Sequence, residues 1–289
     1  MKGTISIVTP SFDQGRFIER TIRSVLDQGV RDVEYVVCDG GSTDHTVNIL
    51  RQYEHRLRWV SEKDAGQADA VNKGFSMTRG DLVGWLNSDD IYYPGTLRAV
   101  MDFSEANPEV DVIYGDANHV DENDVVIEPY PTEDWDFERL KTVCFICQPG
   151  VFVTRRVLDR YGGLDETLQY CMDYEYWLRL GLKNAKFAHL PRVLAGSRLY
   201  AQNKTLSCRL KVHAEINAMM RELLGEVPDK WIYNYAHASL DDRGWLRSAR
   251  RRYAIGVAAV TLYAALKWNH KVRRSVLRTV ADWVGGALK

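Results

Sequence analysis

The sequence lacks the long apolar stretch of a membrane-spanning protein. Among its 289 residues, the longest apolar run covers residues 254–266 and is thirteen residues long, whereas a spanning helix needs about 18. The first residues lead directly into a strand-like run, without a charged start and a long apolar region, so we expect no signal peptide and a cytoplasmic protein.

Metal-binding and dinucleotide-binding motifs are also missing. The five cysteines are scattered, and Cys144 and Cys147 form a single C-x-x-C inside an apolar run, with no second pair and no nearby histidine. This pattern favours buried thiols over a zinc site. The first strand-to-helix turn reads TPSFDQG and has no G-x-G-x-x-G fingerprint, which argues against a dinucleotide-dependent dehydrogenase.

The formal net charge of −1 conceals an uneven distribution. Residues 245–289 contain ten Lys or Arg and a single acid, Asp282, so their net charge is +9 and the preceding 244 residues carry −10. An acidic body with a basic tail is typical of a protein whose tail meets an anionic surface.

Short β-branched runs alternate with helix-length segments in the N-terminal third. The pattern predicts strands over residues 5–8, 34–38, 57–60 and 82–86. Strands separated by helices form βαβ units with a largely parallel sheet. The sequence therefore predicts an α/β fold whose functional residues lie in the loops at the strand ends.

One of these loops follows the buried run at residues 82–86 and reads Asn87, Ser88, Asp89, Asp90. Two adjacent carboxylates repel each other unless something positive lies on them, and oxygen-rich clusters suit Mg²⁺ or Mn²⁺. The alternative is a solvated acidic turn, and these residues alone leave both interpretations open. At two other strand ends, Asp39 is placed to read a nucleoside by hydrogen bonding, whereas Phe12 either stacks on a base or joins the core.

Four segments resemble family 2 glycosyltransferases in order and spacing. They read SIVTPSF, VVCDGGSTD, DAGQADAVNKG and GWLNSDD, and the resemblance covers about residues 5–205. It implies the GT-A fold, in which a Rossmann-like, mostly parallel central sheet is flanked by helices. It also implies a nucleotide diphosphate sugar as donor, with UDP expected, and Mn²⁺ or Mg²⁺ as cofactor.

The resemblance assigns roles to residues at the strand ends. Thr9, Pro10, Ser11 and Phe12 would flank the base, and Asp39 would contact the uracil or ribose. The segment 64–74, with Asp64 and Asn72, would border the phosphates and donor sugar; the alternative is a short helix that buries Ala68, Val71 and Phe75 and merely solvates its polar face. Asp89 would bind the metal, beside Ser88. Asn87 stands where many members have an Asp, and its amide still suits a ribose hydroxyl.

The C-terminal half of the matched region supplies the remaining candidates. Gln148 would contact a sugar hydroxyl, the alternative being an ordinary polar loop residue. Asp173 begins a predicted helix, and Trp177 and Leu180 lie on the same face of that helix. The helix N-terminus favours the ionised form of the Asp173 carboxylate. The resemblance makes Asp173 the general base, with Met172 replacing the family's Glu, whereas the residues alone favour an acid that only caps the helix.

A further segment, residues 195–205, resembles the family's diphosphate-contacting segment. It retains Arg198, which with Lys204 would neutralise the leaving diphosphate, and has Tyr200 at the position of a family His. The catalytic domain is predicted over residues 1–210, followed by a C-terminal helical region over 211–289. In that region Trp245, Leu246, Tyr253, Val257, Val260, Tyr263 and Trp268 mix with basic residues.

This mixture predicts a tail, residues 245–289, that binds an anionic membrane surface from the cytoplasmic side. A helical hairpin packed on the catalytic domain is the alternative, and a nucleic-acid partner is disfavoured because no base-reading motif accompanies the charge. The sequence as a whole predicts an inverting glycosyltransferase acting on a glycan or lipid-linked glycan in cell-surface polysaccharide synthesis. The alternatives are a non-catalytic sugar-nucleotide or glycan-binding protein and a nucleotidyltransferase.

Overall fold

The computed structural model describes residues 3–31, 33–201, 203 and 207–288. The chain divides into two compact units, Met1–Tyr200 and Ala201–Lys289. The boundary predicted from the sequence lies ten residues later, and we keep as a proposal that the two parts are separate domains. Within the described ranges, no helix is both long and apolar enough to cross a membrane.

The first unit is built on one nine-stranded sheet, as far as the described residues show. Its strands are β1 (Ile5–Ser11), β2 (Val33–Asp39), β3 (Arg58–Ser61), β4 (Leu82–Trp85), β5 (Ile91–Tyr92), β6 (Val112–Val120), β7 (Val126–Pro129), β8 (Val151–Thr154) and β9 (Phe187–Arg198). The order across the sheet is β3-β2-β1-β4-β8-β6-β9-β5, and β7 pairs with β6 outside this path.

The first four strands of the order are mutually parallel, as the alternating pattern predicted. The rest of the sheet is mixed, because β8 runs antiparallel to both β4 and β6, and β9 runs parallel to β6. The chain leaves β1 for β2 on one side and returns to β4 on the other. This reversal opens a crevice at the carboxyl ends of β1, β2 and β4, where open α/β sheets bind ligands.

Helices cover the faces of this sheet. They are α1 (Ile18–Leu26), α2 (Thr46–Gln52), α3 (Gln67–Ser76), α4 (Thr96–Ala106), α5 (Phe137–Leu140), α6 (Arg155–Tyr161) and α7 (Met172–Leu182), with a short 3₁₀ turn at Gln148–Gly150. All seven residues of β1 are buried, as a central strand covered on both faces requires. Helix α3 packs so close to β1 that only a glycine fits at position 74. A Cβ there would lie 2.2 Å from a methyl group of Val8.

The second unit consists of helices α8 (Arg209–Leu224), α9 (Asp229–Asp242), α10 (Arg250–Asn269) and α11 (Arg274–Leu288). Helix α10 packs against both α9 and α11, and Tyr253 and Val257 form a buried cluster with Leu240 of α9. The prediction that the aromatic and aliphatic residues of this region face lipid is therefore wrong for Tyr253 and Val257, and also for Trp268, which is buried. Their apolar surface is instead removed from water by neighbouring helices.

Candidate active site

The loops that follow β1 and β2 are hydrogen-bonded to each other at the mouth of the crevice. The Asp13 carboxylate accepts from the backbone N–H of Thr43 at 2.8 Å, and the backbone N–H of Gly15 donates to Asp44 at 2.8 Å. Phe12 projects between these loops with 60% of its surface exposed. The core interpretation of Phe12 is therefore wrong, and an exposed ring at this place is suited to stacking on a base.

The other candidates of this set, Thr9, Pro10 and Ser11, end β1 and are buried. Thr9 is fully buried and its hydroxyl lies 3.0 Å from the Tyr35 hydroxyl, on the interior side of the sheet. Pro10 is buried. The Ser11 hydroxyl is buried without a hydrogen-bond partner among the described residues. Ser11 is thus the member of this set with an unused polar atom.

Asp39, at the end of β2, is buried and holds its own loop. Its carboxylate accepts hydrogen bonds from the hydroxyls of Ser42 at 2.5 Å and Ser61 at 2.6 Å, and from the backbone N–H of Ser42 at 2.9 Å. The adjacent Gly40 has no room for a side chain, because a Cβ there would lie 2.6 Å from the Asp64 carboxylate. Asp39 and Asp64 therefore line the same strand-end loop, and their contacts with a nucleotide stay predictions.

The residues 87–90 after β4, here called the acidic loop, present their two carboxylates in different directions. Asp90 is buried and accepts from the backbone N–H of Arg198 at 2.8 Å and from the Asn87 amide at 3.3 Å. Burial first, and the neighbouring Asp89 second, raise the pKa of Asp90 well above its usual value. Asp89 is half-buried and accepts from the Tyr200 hydroxyl at 2.9 Å. Protein donors thus already hold Asp90, and a cation on Asp89 stays a prediction.

The hydrogen bonds of Asn87 explain why an amide, and not a carboxylate, stands at this position. The Asn87 side chain donates to Asp90 and accepts from the Gln67 amide at 2.8 Å, near the start of α3. A carboxylate at 87 would have no hydrogen to donate and would bring a third negative charge to Asp89 and Asp90. Ser88 is buried, and its contact with a donor stays a prediction.

Asp89 fits a divalent cation only in combination with other ligands. The described residues contain no group of three or more His, Cys, Asp or Glu side chains that could hold a metal ion. Mg²⁺ in such sites usually takes one or two carboxylates and completes its shell with water and substrate phosphates. Asp89 supplies one such carboxylate, and the diphosphate of the donor would supply further oxygen ligands.

Asp173 lies in the first turn of α7. Trp177, one turn later, is fully buried and stacks on Trp85 of β4, with ring centroids 5.4 Å apart. Burial raises the pKa of Asp173 to about 6, although the backbone N–H of Tyr174 donates to the carboxylate at 2.7 Å and opposes the rise. Burial therefore sets the direction of the shift, and the carboxylate remains ionised at neutral pH.

The segment before β8 connects the acidic loop with Asp173. The Gln148 amide donates to the backbone carbonyl of Trp85 at 2.7 Å, which leaves its buried amide oxygen without a hydrogen-bond partner in the described structure. Burial raises the pKa of the neighbouring Cys147 thiol, and the charges of Asp90 and Asp173 raise it further. Gln148 thus links the turn before β8 to the end of β4, next to the acidic loop.

Two candidates, Asn72 and Arg198, use their polar side chains for contacts within the protein. The Asn72 amide donates to the carbonyl of Leu164 at 2.9 Å and to Glu166 at 2.8 Å, and its oxygen accepts from the backbone N–H of Leu164 at 2.8 Å. The Arg198 side chain is fully buried, ion-paired with Asp124 and hydrogen-bonded to the carbonyl of Asp89. Their predicted contacts with the donor stay predictions, and Lys204 lies outside the described residues.

Sequence reasoning missed the residues that hold the acidic loop, namely Thr21, Gln67 and Asp124. The contacts they make span from 20 to 74 positions in the chain. No local pattern marks such residues, because their partners are set by the sheet topology.

The comparisons with known proteins agree with this geometry. The family model described as "Glycosyl transferase family 2" matches residues 6–162. Chondroitin synthase of Escherichia coli is 27% identical over 206 residues, which are 70% of this chain and 30% of the relative. The O-antigen biosynthesis protein RfbC of Myxococcus xanthus is 31% identical over 200 residues, which are 67% of this chain and 16% of the relative. The chain thus spans less than a third of the length of these relatives.

Solved structures show the same fold. S. aureus TarS 1-349 in complex with UDP-GlcNAc has a TM-score of 0.66 and 16% identity, covering 98% of this chain and 92% of that one. The mannosyltransferase PcManGT from Pyrobaculum calidifontis, in complex with GDP-Man and Mn²⁺, has a TM-score of 0.62 and 17% identity, covering 100% and 81%. The predicted GT-A fold with C-terminal helices is confirmed. Because the family model covers more than half of the chain, from β1 to just beyond α6, the protein belongs to glycosyl transferase family 2.

Proposed function

We propose that this glycosyltransferase moves a sugar from a UDP-sugar to a hydroxyl group of a glycan or lipid-linked glycan, with inversion at the anomeric carbon. The observation that carries the proposal is the Trp85–Trp177 stack. Trp85 ends the strand that leads into the acidic loop, and Trp177 lies one helical turn beyond Asp173. The stack packs the strand that precedes the acidic loop against α7, which supports our proposal that Asp89 serves the diphosphate side and Asp173 the acceptor side of one crevice.

The proposed reaction is a single displacement. The acceptor hydroxyl oxygen attacks the anomeric carbon and forms the new glycosidic bond, while the bond from that carbon to the diphosphate breaks and its electron pair leaves with the diphosphate. Asp173 takes the hydroxyl proton, and a pKa of about 6 suits a general base that works near neutral pH. Phe12 stacks on the base, and Gln148 offers its unpaired amide oxygen to a sugar hydroxyl.

Asp89 would hold the Mn²⁺ or Mg²⁺ ion, which when bound neutralises charge on the leaving diphosphate. The relatives and neighbours support the substrate classes: one structural neighbour carries UDP-GlcNAc, another carries GDP-Man and Mn²⁺, and the curated relatives include chondroitin synthases. Synthesis of a cell-surface polysaccharide is the corresponding proposal for this chain.

We expect UDP-sugars with Mn²⁺ or Mg²⁺ to stabilise the protein in a thermal-shift screen. A donor at a hundred times its dissociation constant adds about 2.7 kcal/mol to the free energy of unfolding, because it binds only the folded state. Slow hydrolysis of the same donor should release UDP. Stabilisation without any hydrolysis or transfer would identify a sugar-nucleotide-binding protein, and release of pyrophosphate from a nucleoside triphosphate and a sugar phosphate would identify a nucleotidyltransferase.

We also propose that the second unit binds peripherally to the cytoplasmic face of an anionic membrane. The support is a face of α10 on which Ile255, Tyr263 and Leu266 are more than half exposed, with exposed basic residues at both ends of the helix, including Arg251 and Lys267. Each basic residue near such a surface contributes about 1 kcal/mol, weakened by salt. Exposed aliphatic side chains then insert shallowly between head groups.

The full-length protein should sediment with phosphatidylserine-containing vesicles at low salt and remain in solution with phosphatidylcholine vesicles. Replacing Ile255 and Leu266 together by Ser should weaken the binding about tenfold or more, since two aliphatic side chains no longer leave water. The matched control replaces Val125 and Ile127, two equally exposed aliphatic residues of the first unit, by Ser. A full-length protein that ignores the anionic vesicles, or a control that loses as much binding, would contradict this proposal.

A further inference from the structure

Three successive backbone carbonyls of the acidic loop are held by side chains from elsewhere in the first unit. The buried Thr21 hydroxyl of α1 shares its single hydrogen between the carbonyls of Ser88 at 2.9 Å and Asp90 at 2.7 Å. The guanidinium of Arg198, at the end of β9, donates to the carbonyl of Asp89 between them. The backbone of the loop is therefore fixed, and this leaves the Asp89 side chain directed towards Tyr200.

Arg198 can hold Asp89 only while its own charge is balanced. Its side chain has no exposed surface, and its guanidinium lies 4.6 Å from the centre of the Phe17 ring. A buried guanidinium without a carboxylate partner is strongly unfavourable. The carboxylate that it pairs with belongs to Asp124.

Asp124 lies in the hairpin turn at residues 121–124, between β6 and β7. The turn is rigid: the Asp121 carboxylate accepts from the backbone N–H groups of Asn123 at 2.8 Å and Val125 at 2.9 Å. Asp124 itself has a left-handed backbone with φ of 67°. Its second carboxylate oxygen accepts from Arg20 at 2.8 Å, so the turn is bound to α1 as well as to β9.

We propose that Asp124 is a positioning residue for Asp89, acting through Arg198. The turn neutralises Arg198, Arg198 fixes the carbonyl of Asp89, and the Asp89 carboxylate is thereby kept at the place where the diphosphate would lie. The proposal rests on the function proposed for Asp89, whereas the contacts that link Asp124, Arg198 and Asp89 are independent of that function. A hairpin turn bound to α1 and β9 thus controls the geometry of the acidic loop.

The test replaces Asp124 by Asn and measures hydrogen exchange in the ligand-free protein. Asn removes the charge and tolerates the left-handed backbone. We expect exchange in the peptide 86–92 to rise about tenfold or more, the factor that corresponds to losing about 1.4 kcal/mol of a charge-assisted hydrogen bond. Exchange in β2 should not change. The matched control is Glu122→Gln, which removes an exposed charge of the same turn, paired with Arg16 at 2.5 Å.

A second measurement separates this inference from the function on which it rests. Calorimetric titration of UDP with and without Mn²⁺ should show that Asp124→Asn loses metal-promoted affinity about tenfold but keeps its metal-free affinity. If the wild-type protein has no metal-promoted affinity, the proposed role of Asp89 fails, and the exchange experiment still decides the role of Asp124.

Unchanged exchange in the peptide 86–92 of Asp124→Asn, or an equal rise in Glu122→Gln, would overturn the inference. If Asp124→Asn unfolds, the double variant with Arg198→Met removes the buried charge of Arg198 as well. That double variant should fold, and its raised exchange should equal that of Arg198→Met alone, because Asp124 acts through Arg198. A double variant with wild-type exchange, or one that also unfolds, would make Asp124 a residue of general stability and overturn the positioning role.

Discussion

Replacing Asp173 by Asn is expected to slow sugar transfer about a hundredfold or more while leaving donor affinity unchanged. Asn has the shape of Asp but cannot take the proton of the acceptor hydroxyl, and a general base contributes about a hundredfold to ten-thousandfold. The backbone N–H of Tyr174, which donates to Asp173 at 2.7 Å, can equally donate to an amide oxygen. The structure of the first turn of α7 should therefore survive the change.

The same carboxylate predicts how the rate depends on pH. Burial raises the pKa of Asp173 to about 6, so the group is ionised at neutral pH and protonated below that value. Only the ionised form accepts a proton, and wild-type turnover should accordingly fall about tenfold for each pH unit below about 6. The Asn variant has no titrating group at this position, and its residual rate should lack that fall.

The measurement follows donor affinity by calorimetry and turnover by product formation over a range of pH. Asp159→Asn, an exposed acid of α6, is the control and should behave as the wild type. An Asp173→Asn variant with near-normal turnover, or with the wild-type pH profile, would reduce Asp173 to an acid that caps a helix.

The parallel half of the fold was predictable because its signals are local. β1, β2 and β4 are short segments rich in apolar and β-branched residues and are followed by polar loops, and the buried face of α3 with Ala68, Val71 and Phe75 is confirmed. β6 extends over Val112–Val120 and continues through polar residues, which a short apolar run does not indicate. β9 was not predicted, since its middle carries a proline and exposed residues. Pairing with other strands, rather than composition, makes these segments extended.

The place of the site was predictable, whereas the direction of its side chains was not. Polar residues at the ends of parallel strands meet at one edge whatever their conformation, which is why Asp39 and Asp89 were found as candidates. Asp39, Asn72 and Arg198 nevertheless direct their polar atoms to partners in the protein. Such partners come from distant parts of the chain, and a single sequence does not reveal them.

The amphipathic composition of residues 245–289 does not show which of their aromatic and aliphatic side chains are exposed, for a related reason. Aromatic and basic residues on one helix suit a membrane interface, but they equally suit a helix packed among others. Arg247 and Arg273 pair with Asp241 and Asp229 at 2.7 Å and 2.9 Å, so part of the positive charge is neutralised locally. Only the residues that remain exposed on α10 carry the membrane proposal.

Asp89→Ala is expected to abolish the increase in UDP affinity that Mn²⁺ provides while the protein stays folded. The carboxylate is half-buried and its protein contacts include the Tyr200 hydroxyl, whereas the loop is held through the Asp89 backbone carbonyl, which the substitution keeps. Residues that merely support a metal ligand contribute about tenfold to a hundredfold to metal affinity, so removing a ligand itself should cost about a hundredfold or more.

The matched control for this prediction is the neighbouring acid. Asp90 is buried, its pKa is raised, and it accepts from the backbone N–H of Arg198, a bond that an amide oxygen at position 90 reproduces, although the longer bond of 3.3 Å from the Asn87 amide is lost. Asp90→Asn should therefore keep the metal-promoted affinity that Asp89→Ala loses. Titration of UDP into each variant with and without Mn²⁺ measures the difference directly. Equal loss in both would mean that the two carboxylates share the ion, and retention in Asp89→Ala would place the metal on another group of the crevice.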